Sequence, residues 1–391
     1  MKFPDLRAAS MYRRKFTQTA VVAPLLHLMA PHDVRADAPE TMLETMPDYE
    51  SIGCRLVQQS TPRGDGYYFP AEWQEHEFTI MVMPPPQNWK GSGIPLHRVR
   101  RQWANIANQL AEYEPVLMVV RPEDRREARR VLAGSIELIE FPINDGWSRD
   151  SGPMFVVDDH GSRRVAGFTF NGWGAKFPPY DDDAMLKARL CKHLDTALYP
   201  IDFVLEGGAV TLDGQGTLIT TEQCLLHPKR NAKHDKKAVE QILHDALGTR
   251  KVIWLSKGLE PDPVTDGHVD GICAFVGPAS VMLHTTRDRR DPNYPICQDA
   301  KRRLLASTDA QGRKLEVIEV PLDGELSHLN FSFANGAILV PVTGDPRQDD
   351  RPMGVMMDVF GEDYDVIGVE ANVLAEGGGG IHCITQQVPR V

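Results

Sequence analysis

Phe78-Thr79-Ile80-Met81-Val82-Met83 is an unbroken apolar, β-prone run, and the elements after it decide the fold class. Leu96 to Tyr113 places Val99, Trp103, Ile106 and Leu110 at helical spacing, and Pro115 to Val120 is strand-like again. Pro122 to Leu132 reads as a helix and Ile136 to Phe141 as a strand. Further along, Ile201–Leu205 and Gly216–Thr220 read as strands, Lys236–Leu247 as a helix and Val252–Leu255 as a strand. The strands Ile272–Val276 and Val281–His284, the helix Cys297–Ala306 and the strand Leu315–Val320 continue the rhythm. Strands alternating with helices predict an α/β fold. No identity repeat is visible, and periodicity alone does not separate a Rossmann sheet from radially arranged units. No G-x-G-x-x-G follows the first strand and no G-x-x-x-x-G-K-[ST] occurs, so nucleotide binding has no support.

The bulk properties narrow the field. With 391 residues, 42% hydrophobic and 25% charged, the chain can bury a full core as one unit. Its net charge of -11 argues against a nucleic-acid face, which needs clustered Lys and Arg, and mildly favours cationic ligands. None of the six cysteines forms a C-x-x-C pair, so neither a zinc ribbon nor a thioredoxin-type motif is indicated. Most are expected to be small buried hydrophobes, although an oxidising compartment would allow some to pair.

The beginning of the chain reads as an address. Tyr12-Arg13-Arg14-Lys15-Phe16 precedes the modestly apolar segment Ala20 to Ala30, and Val34-Arg35-Ala36 supplies small residues at peptidase positions. This order is that of a twin-arginine signal peptide, predicting passage through the Tat machinery to the periplasm or exterior. The alternatives are a basic leader on a cytosolic protein, or a start at Met11. The expected organisation is a signal peptide over 1–36, a tether over 37–60 and one catalytic domain over 61–391. Loss of the leader removes six basic and two acidic side chains, making the remainder more acidic.

Four polar blocks interrupt the apolar rhythm. Asn144-Asp145-Gly146-Trp147-Ser148-Arg149-Asp150-Ser151-Gly152-Pro153 follows a strand. Alone it is an Asn-Asp-Gly turn, but Trp147 among carboxylates suits a planar cation through cation–π attraction and bidentate hydrogen bonds. Leu205-Glu206-Gly207-Gly208 ends an apolar strand with an acid and a glycine pair, which by itself is most simply an exposed strand terminus. Asp266-Gly267-His268-Val269-Asp270-Gly271 offers an imidazole for proton transfer beside a carboxylate, on one side if the segment is extended. A loop cap or a metal pair would also use His268 and Asp270, but no second His motif completes a metal site. Glu376-Gly377-Gly378-Gly379-Gly380-Ile381-His382-Cys383-Ile384-Thr385-Gln386-Gln387 spends four glycines in a row. That entropic cost predicts close main-chain approach to a ligand and an accessible Cys383 rather than a plain tail.

In this order the blocks resemble the agmatine deiminases, within the guanidine-modifying superfamily. The resemblance extends from Gly66-Tyr67-Tyr68-Phe69-Pro70-Ala71-Glu72-Trp73 to Gln387 and includes Phe170-Asn171-Gly172-Trp173-Gly174, Thr220-Thr221-Glu222-Gln223-Cys224-Leu225-Leu226 and Ser327-His328-Leu329-Asn330-Phe331. It implies a five-bladed, pseudo-fivefold α/β propeller forming a single domain, with a central active site and neither metal nor organic cofactor. It also implies that Cys383 attacks a guanidinium carbon, that Asp150 and Asp270 hold the guanidinium nitrogens, and that His268, positioned by Glu206, moves the protons. Trp147 is expected to contact the substrate.

The chemistry fits these residue types. A guanidinium is a poor electrophile for water, and a thiolate divides its hydrolysis into two easier steps. The bound cation and His268 would lower the thiol pKa. Two departures bear on the substrate: Gly380 stands where the family usually has Asn, and His328 where it usually has an aromatic. The expected reaction converts agmatine to N-carbamoylputrescine and ammonia. The rival readings are an exported peptidylarginine deiminase and a non-catalytic periplasmic binder of cationic ligands.

Overall fold

The structure, a computed structural model, describes residues 46–90 and 92–391. The expected signal peptide and residues 37–45 of the expected tether lie outside these residues. The described chain is a mixed α/β domain whose strands form five separate sheets.

One ββαβ pattern builds each sheet: an antiparallel pair, a helix, then a strand parallel to the second. In chain order, a complete unit first appears as strands Met154–Val157 and Arg163–Thr169, helix Leu186–His193 and strand Ala197–Val204. It recurs as Val210–Leu212, Thr217–Thr221, helix Lys236–Leu247 and Lys251–Leu255. Cys273–Gly277, Ser280–Thr285, helix Asn293–Ala306 and Glu316–Pro321 form another. Ser332–Ala334, Ala337–Val342, helix Pro346–Phe360 and Asp365–Glu370 follow.

The fifth sheet joins distant parts of the sequence. Strand Gln386–Pro389 pairs antiparallel with His76–Val82, with Gln386 opposite Ile80 and Gln387 opposite Thr79. His76–Val82 then runs parallel to Val116–Val120 across helix Leu96–Leu110, and Glu137–Glu140 completes the sheet. The helix forms because Val99, Trp103, Ile106, Ala107 and Leu110 fall on one face, which it buries against Met81, Met118 and Val120. All five residues of Val116–Val120 are buried, as a strand covered on both faces requires. Trp103 is fully buried, and Trp103→Ala would cost about 3–5 kcal/mol.

The predicted elements between Phe78 and Phe141 are all present, and Lys236–Leu247 has the predicted limits. The helix expected from Cys297 begins earlier, at Asn293. The tether expectation needs correction at its end. Tyr49 and Cys54 are buried, and Arg55–Leu56 adds an edge strand parallel to Ala197–Leu198. All six cysteines are buried and free. Among the described residues, no helix is long and apolar enough to cross a membrane.

Candidate active site

The turn before the leading strand of each unit carries one polar side chain toward a shared place. Asp150 lies in the turn Ser148–Ser151 ahead of Met154–Val157, and Glu206 immediately before the turn Gly207–Ala209 ahead of Val210–Leu212. Asp270 lies in Val269–Gly271, Asn330 two residues before Ser332–Ala334, and Cys383 in His382–Ile384 ahead of Gln386–Pro389. The Cys383 sulfur is 3.3 Å from Asn330 Oδ1 and 3.6 Å from Asp270 Oδ2. Asp150 Oδ1 accepts from the Gly208 amide at 3.0 Å, and its Oδ2 accepts from Trp173 Nε1 at 2.8 Å.

His268 closes the group. Its Nδ1 is 3.9 Å from Asp150 Oδ1 and its Nε2 3.8 Å from Glu206 Oε2, too far for hydrogen bonds, and neither ring nitrogen has a hydrogen-bond partner. The segment is not extended: Val269–Gly271 is a 3₁₀ turn, and that turn rather than strand alternation brings His268 and Asp270 together. Gly208 is indispensable to the packing. A Cβ there would lie 2.6 Å from His268 Nδ1, 2.8 Å from Asp270 Oδ2 and 3.1 Å from Asp150 Oδ1.

Supporting groups fix these side chains. His382 bridges Asp270 Oδ2 at 2.9 Å and Glu72 Oε1 at 3.0 Å, while Arg149 binds the same Glu72 oxygen at 3.0 Å and donates to the His382 carbonyl at 3.3 Å. Arg230 Nε holds Glu206 Oε1 at 2.6 Å, and its Nη1 reaches Asp266 at 3.0 Å. Asn330, Trp173, Glu72, Arg230 and Gly208 received no role from the sequence, although each except Arg230 lies in one of the quoted blocks.

The electrostatics follow from burial and charge. Burial raises the Asp150 carboxyl, against the pull of His268, and nearby Asp270 and Glu206 add to the rise. Burial opposes ionisation of Glu206, but Arg230 and His268 outweigh it and hold this carboxyl at about 2. Burial also disfavours imidazolium at His268, yet the Asp150 charge with Cys224 and Glu206 carries its pKa well above the usual value. The Cys383 thiol is pushed well up by burial and then by Asp270 and Asp150. Without a cation between the carboxylates, the sulfur is therefore held as a thiol.

The glycine run is structured. Gly378 takes φ +90, and the amides of Gly378 and Gly379 bond the carbonyls of Ala375 and Leu374, capping helix Asn372–Glu376. A Cβ on Gly379 would lie 2.5 Å from Trp147, which packs edge-on to Trp103 at 5.3 Å. Trp147 thus sits in an indole cluster under the glycines, while Trp173 is the indole that touches Asp150. A Cβ on Gly380 would lie 2.5 Å from Asn330 Oδ1, so the Asn330 amide fills the space where that side chain would start. His328 is buried and bonds Asp349 at 3.0 Å, an anchor to helix Pro346–Phe360. Among the described residues, the one group placed to hold a metal is Glu206, Cys224 and His268, rather than His268 with Asp270.

This arrangement can bind a flat cation between acids and attack it with sulfur. Residues 68–389 match the family described as Porphyromonas-type peptidyl-arginine deiminase. The agmatine deiminase of Pseudomonas aeruginosa strain LESB58 is 40% identical over 364 residues, spanning 84% of this chain and 97% of that protein. That of Stutzerimonas stutzeri strain A1501 is 39% identical over 366 residues, with 84% and 97% covered. The solved structure of the Enterococcus faecalis agmatine deiminase superposes with a TM-score of 0.80 at 35% identity, covering 86% of this chain and 100% of that one. A C. jejuni agmatine deiminase with substrate bound gives 0.75 at 26% identity, covering 82% and 96%. The chain belongs to the Porphyromonas-type peptidyl-arginine deiminase family.

Proposed function

We propose that the protein is a cysteine hydrolase that converts agmatine to N-carbamoylputrescine and ammonia through a covalent Cys383 thiouronium intermediate. The observation that carries this reading is the Cys383 sulfur 3.6 Å from Asp270 Oδ2, in the same buried group as Asp150, His268 and Glu206. Relatives about 40% identical that are agmatine deiminases support it.

The guanidinium binds between Asp150 and Asp270, neutralising the carboxylates that hold the thiol protonated. The thiol proton then leaves to water, and the sulfur adds to the guanidinium carbon. Imidazolium at His268 protonates one nitrogen, the C–N bond breaks and ammonia departs, leaving the thiouronium. Neutral His268 next takes a proton from water as the oxygen adds to the same carbon. The C–S bond breaks, the thiolate is regenerated, and the urea group loses its extra proton to solvent. In this scheme Glu206 stabilises the charged imidazole, Asn330 orients the sulfur, and Trp147 walls the glycine segment. None of these steps calls on a metal or organic cofactor.

The five ββαβ sheets are read as five blades of a pseudo-fivefold propeller about this site, since each contributes one turn to it. Export through the Tat machinery to the periplasm or exterior is also proposed, on the strength of Arg13-Arg14 and the apolar run after them. Arg13→Lys/Arg14→Lys should retain the protein in the cytoplasm on cell fractionation, and unchanged export would refute this.

Peptidyl-arginine is the second substrate reading, favoured by the description of the matching family. Burial of Cys383, Asp150 and Asp270 favours a small free guanidine over a peptide chain. Product mass analysis with agmatine, arginine and peptidyl-arginine decides. N-carbamoylputrescine from agmatine is expected, while citrulline in the peptide without turnover of agmatine would reverse the ranking. Guanidine binding with no turnover of any of the three, retained in Cys383→Ala, would mark a non-catalytic binder.

A further inference from the structure

Cys224 enters no step of the proposed hydrolysis, yet it neighbours His268, the histidine assigned to proton transfer. It belongs to the turn Glu222–Leu225, capped by Thr221, whose Oγ1 accepts from the Cys224 amide at 3.2 Å. The same hydroxyl donates to the Gly267 carbonyl at 2.6 Å, fastening the Cys224 turn to the segment that carries His268. One ligand atom each from Glu206, Cys224 and His268 falls within 4.8 Å of the others, and all three residues are buried. Arg230 occupies Glu206 Oε1, which leaves Oε2 facing His268 at 3.8 Å. The ring nitrogens of His268 are buried without a hydrogen-bond partner. Buried polar atoms normally have partners, so an imidazole without any, aimed among a thiol and a carboxylate, points to a ligand.

We propose that Glu206, Cys224 and His268 form an inhibitory binding site for zinc or a similar borderline-soft divalent cation. Thiolate, imidazole and carboxylate are the zinc donor types, three protein ligands leave a fourth position for water, and magnesium and calcium are disfavoured by the sulfur and nitrogen. The path is the guanidinium pocket, whose acids attract cations. On binding, the Cys224 S–H bond breaks, its proton leaves to water and the sulfur binds as thiolate. His268 likewise releases one ring proton to water, gives that nitrogen's lone pair to the metal and can no longer carry protons. Metal binding itself is independent of the deiminase reading; the inhibition rests on the role given there to His268.

The test uses the full chain and cobalt as a coloured stand-in for zinc. Co²⁺ titration of Cys383→Ser should produce a thiolate-to-cobalt charge-transfer band saturating at one equivalent, displaced by Zn²⁺ and not by Mg²⁺. The band should vanish in Cys383→Ser/Cys224→Ser and in Cys383→Ser/His268→Gln, each checked for an unaltered melting temperature. This readout needs no turnover, so its failure is distinct from failure of the hydrolase proposal. In the active enzyme, Zn²⁺ should inhibit agmatine turnover and EDTA restore it. In Cys224→Ser and Cys224→Ala, each referred to its own turnover without metal, the inhibitory Zn²⁺ concentration should rise at least about tenfold. Absence of the band in Cys383→Ser, its persistence in either double variant, or unchanged zinc sensitivity in both Cys224 variants would overturn the proposal.

Discussion

Two buried imidazoles border the Asp150–Asp270 pair, and they are held in opposite ways. His382, next to Cys383 in sequence, has both ring nitrogens engaged, by Asp270 and by Glu72, and Arg149 closes the ring of contacts. His268 lies among carboxylates with no hydrogen bond to any of them. Both have raised pKa values; at His382 burial and Arg149 oppose the charge, and Glu72 and Asp270 outweigh them. A proton shared with two fixed acceptors is hard to pass on, whereas a charged ring stabilised at a distance can turn and give its proton away. On the proposed mechanism, the histidine adjacent to Cys383 in sequence is an anchor, and the distant His268 is the one that moves protons.

The contrast can be broken experimentally. Cys383→Ser sets the floor, with agmatine turnover falling by more than about 10⁴-fold while equilibrium dialysis still detects agmatine binding. His268→Gln should lower kcat by about 10²–10⁴-fold with little change in melting temperature. His382→Gln should instead act on stability, losing about 3 kcal/mol in urea unfolding because Asp270 and Glu72 lose a buried partner. If His382→Gln cost more in kcat and His268→Gln more in stability, the assignments would be exchanged. Trp173→Phe removes one donor from Asp150 and should reduce kcat/KM by about tenfold, measured under steady-state conditions.

The smallest effect is one of pH. The folded pKa of His382 lies above its ordinary 6.5, so its contribution to stability is complete below pH 6.5 and is lost as pH rises through the folded value. The parent's melting temperature should fall more steeply above pH 6.5 than that of His382→Gln. Parallel curves would show that this imidazole is not charged by its two acids.

The sequence made the α/β rhythm legible wherever an element had its own periodicity, as in Leu96–Leu110 and Lys236–Leu247. It hid the five-sheet organisation, because short strands such as Ser332–Ala334 carry little pattern and Gln386–Pro389 finds its partner some 300 residues away. The prominent site groups were visible as polar residues among glycines. Asn330 was not, because a lone amide between Leu329 and Phe331 resembles any strand end. Arg230 was invisible for another reason: its tie to Glu206, 24 residues earlier, exists only once the chain between them has folded. Trp147 and Trp173 were indistinguishable as indoles near acids, and only coordinates separate the packed ring from the one donating to Asp150.

The pairing of Gln386–Pro389 with His76–Val82 has a consequence for biosynthesis. Asp150, Glu206, Asp270 and Asn330 all leave the ribosome before the sulfur does, and the strand after Cys383 must find a sheet edge left waiting since early in translation. A nascent polypeptide thus carries the three acids and the amide before it carries either the sulfur or His382, which anchors Asp270. Chemistry begins only when the last-made of the five groups is drawn into place by the first-made sheet.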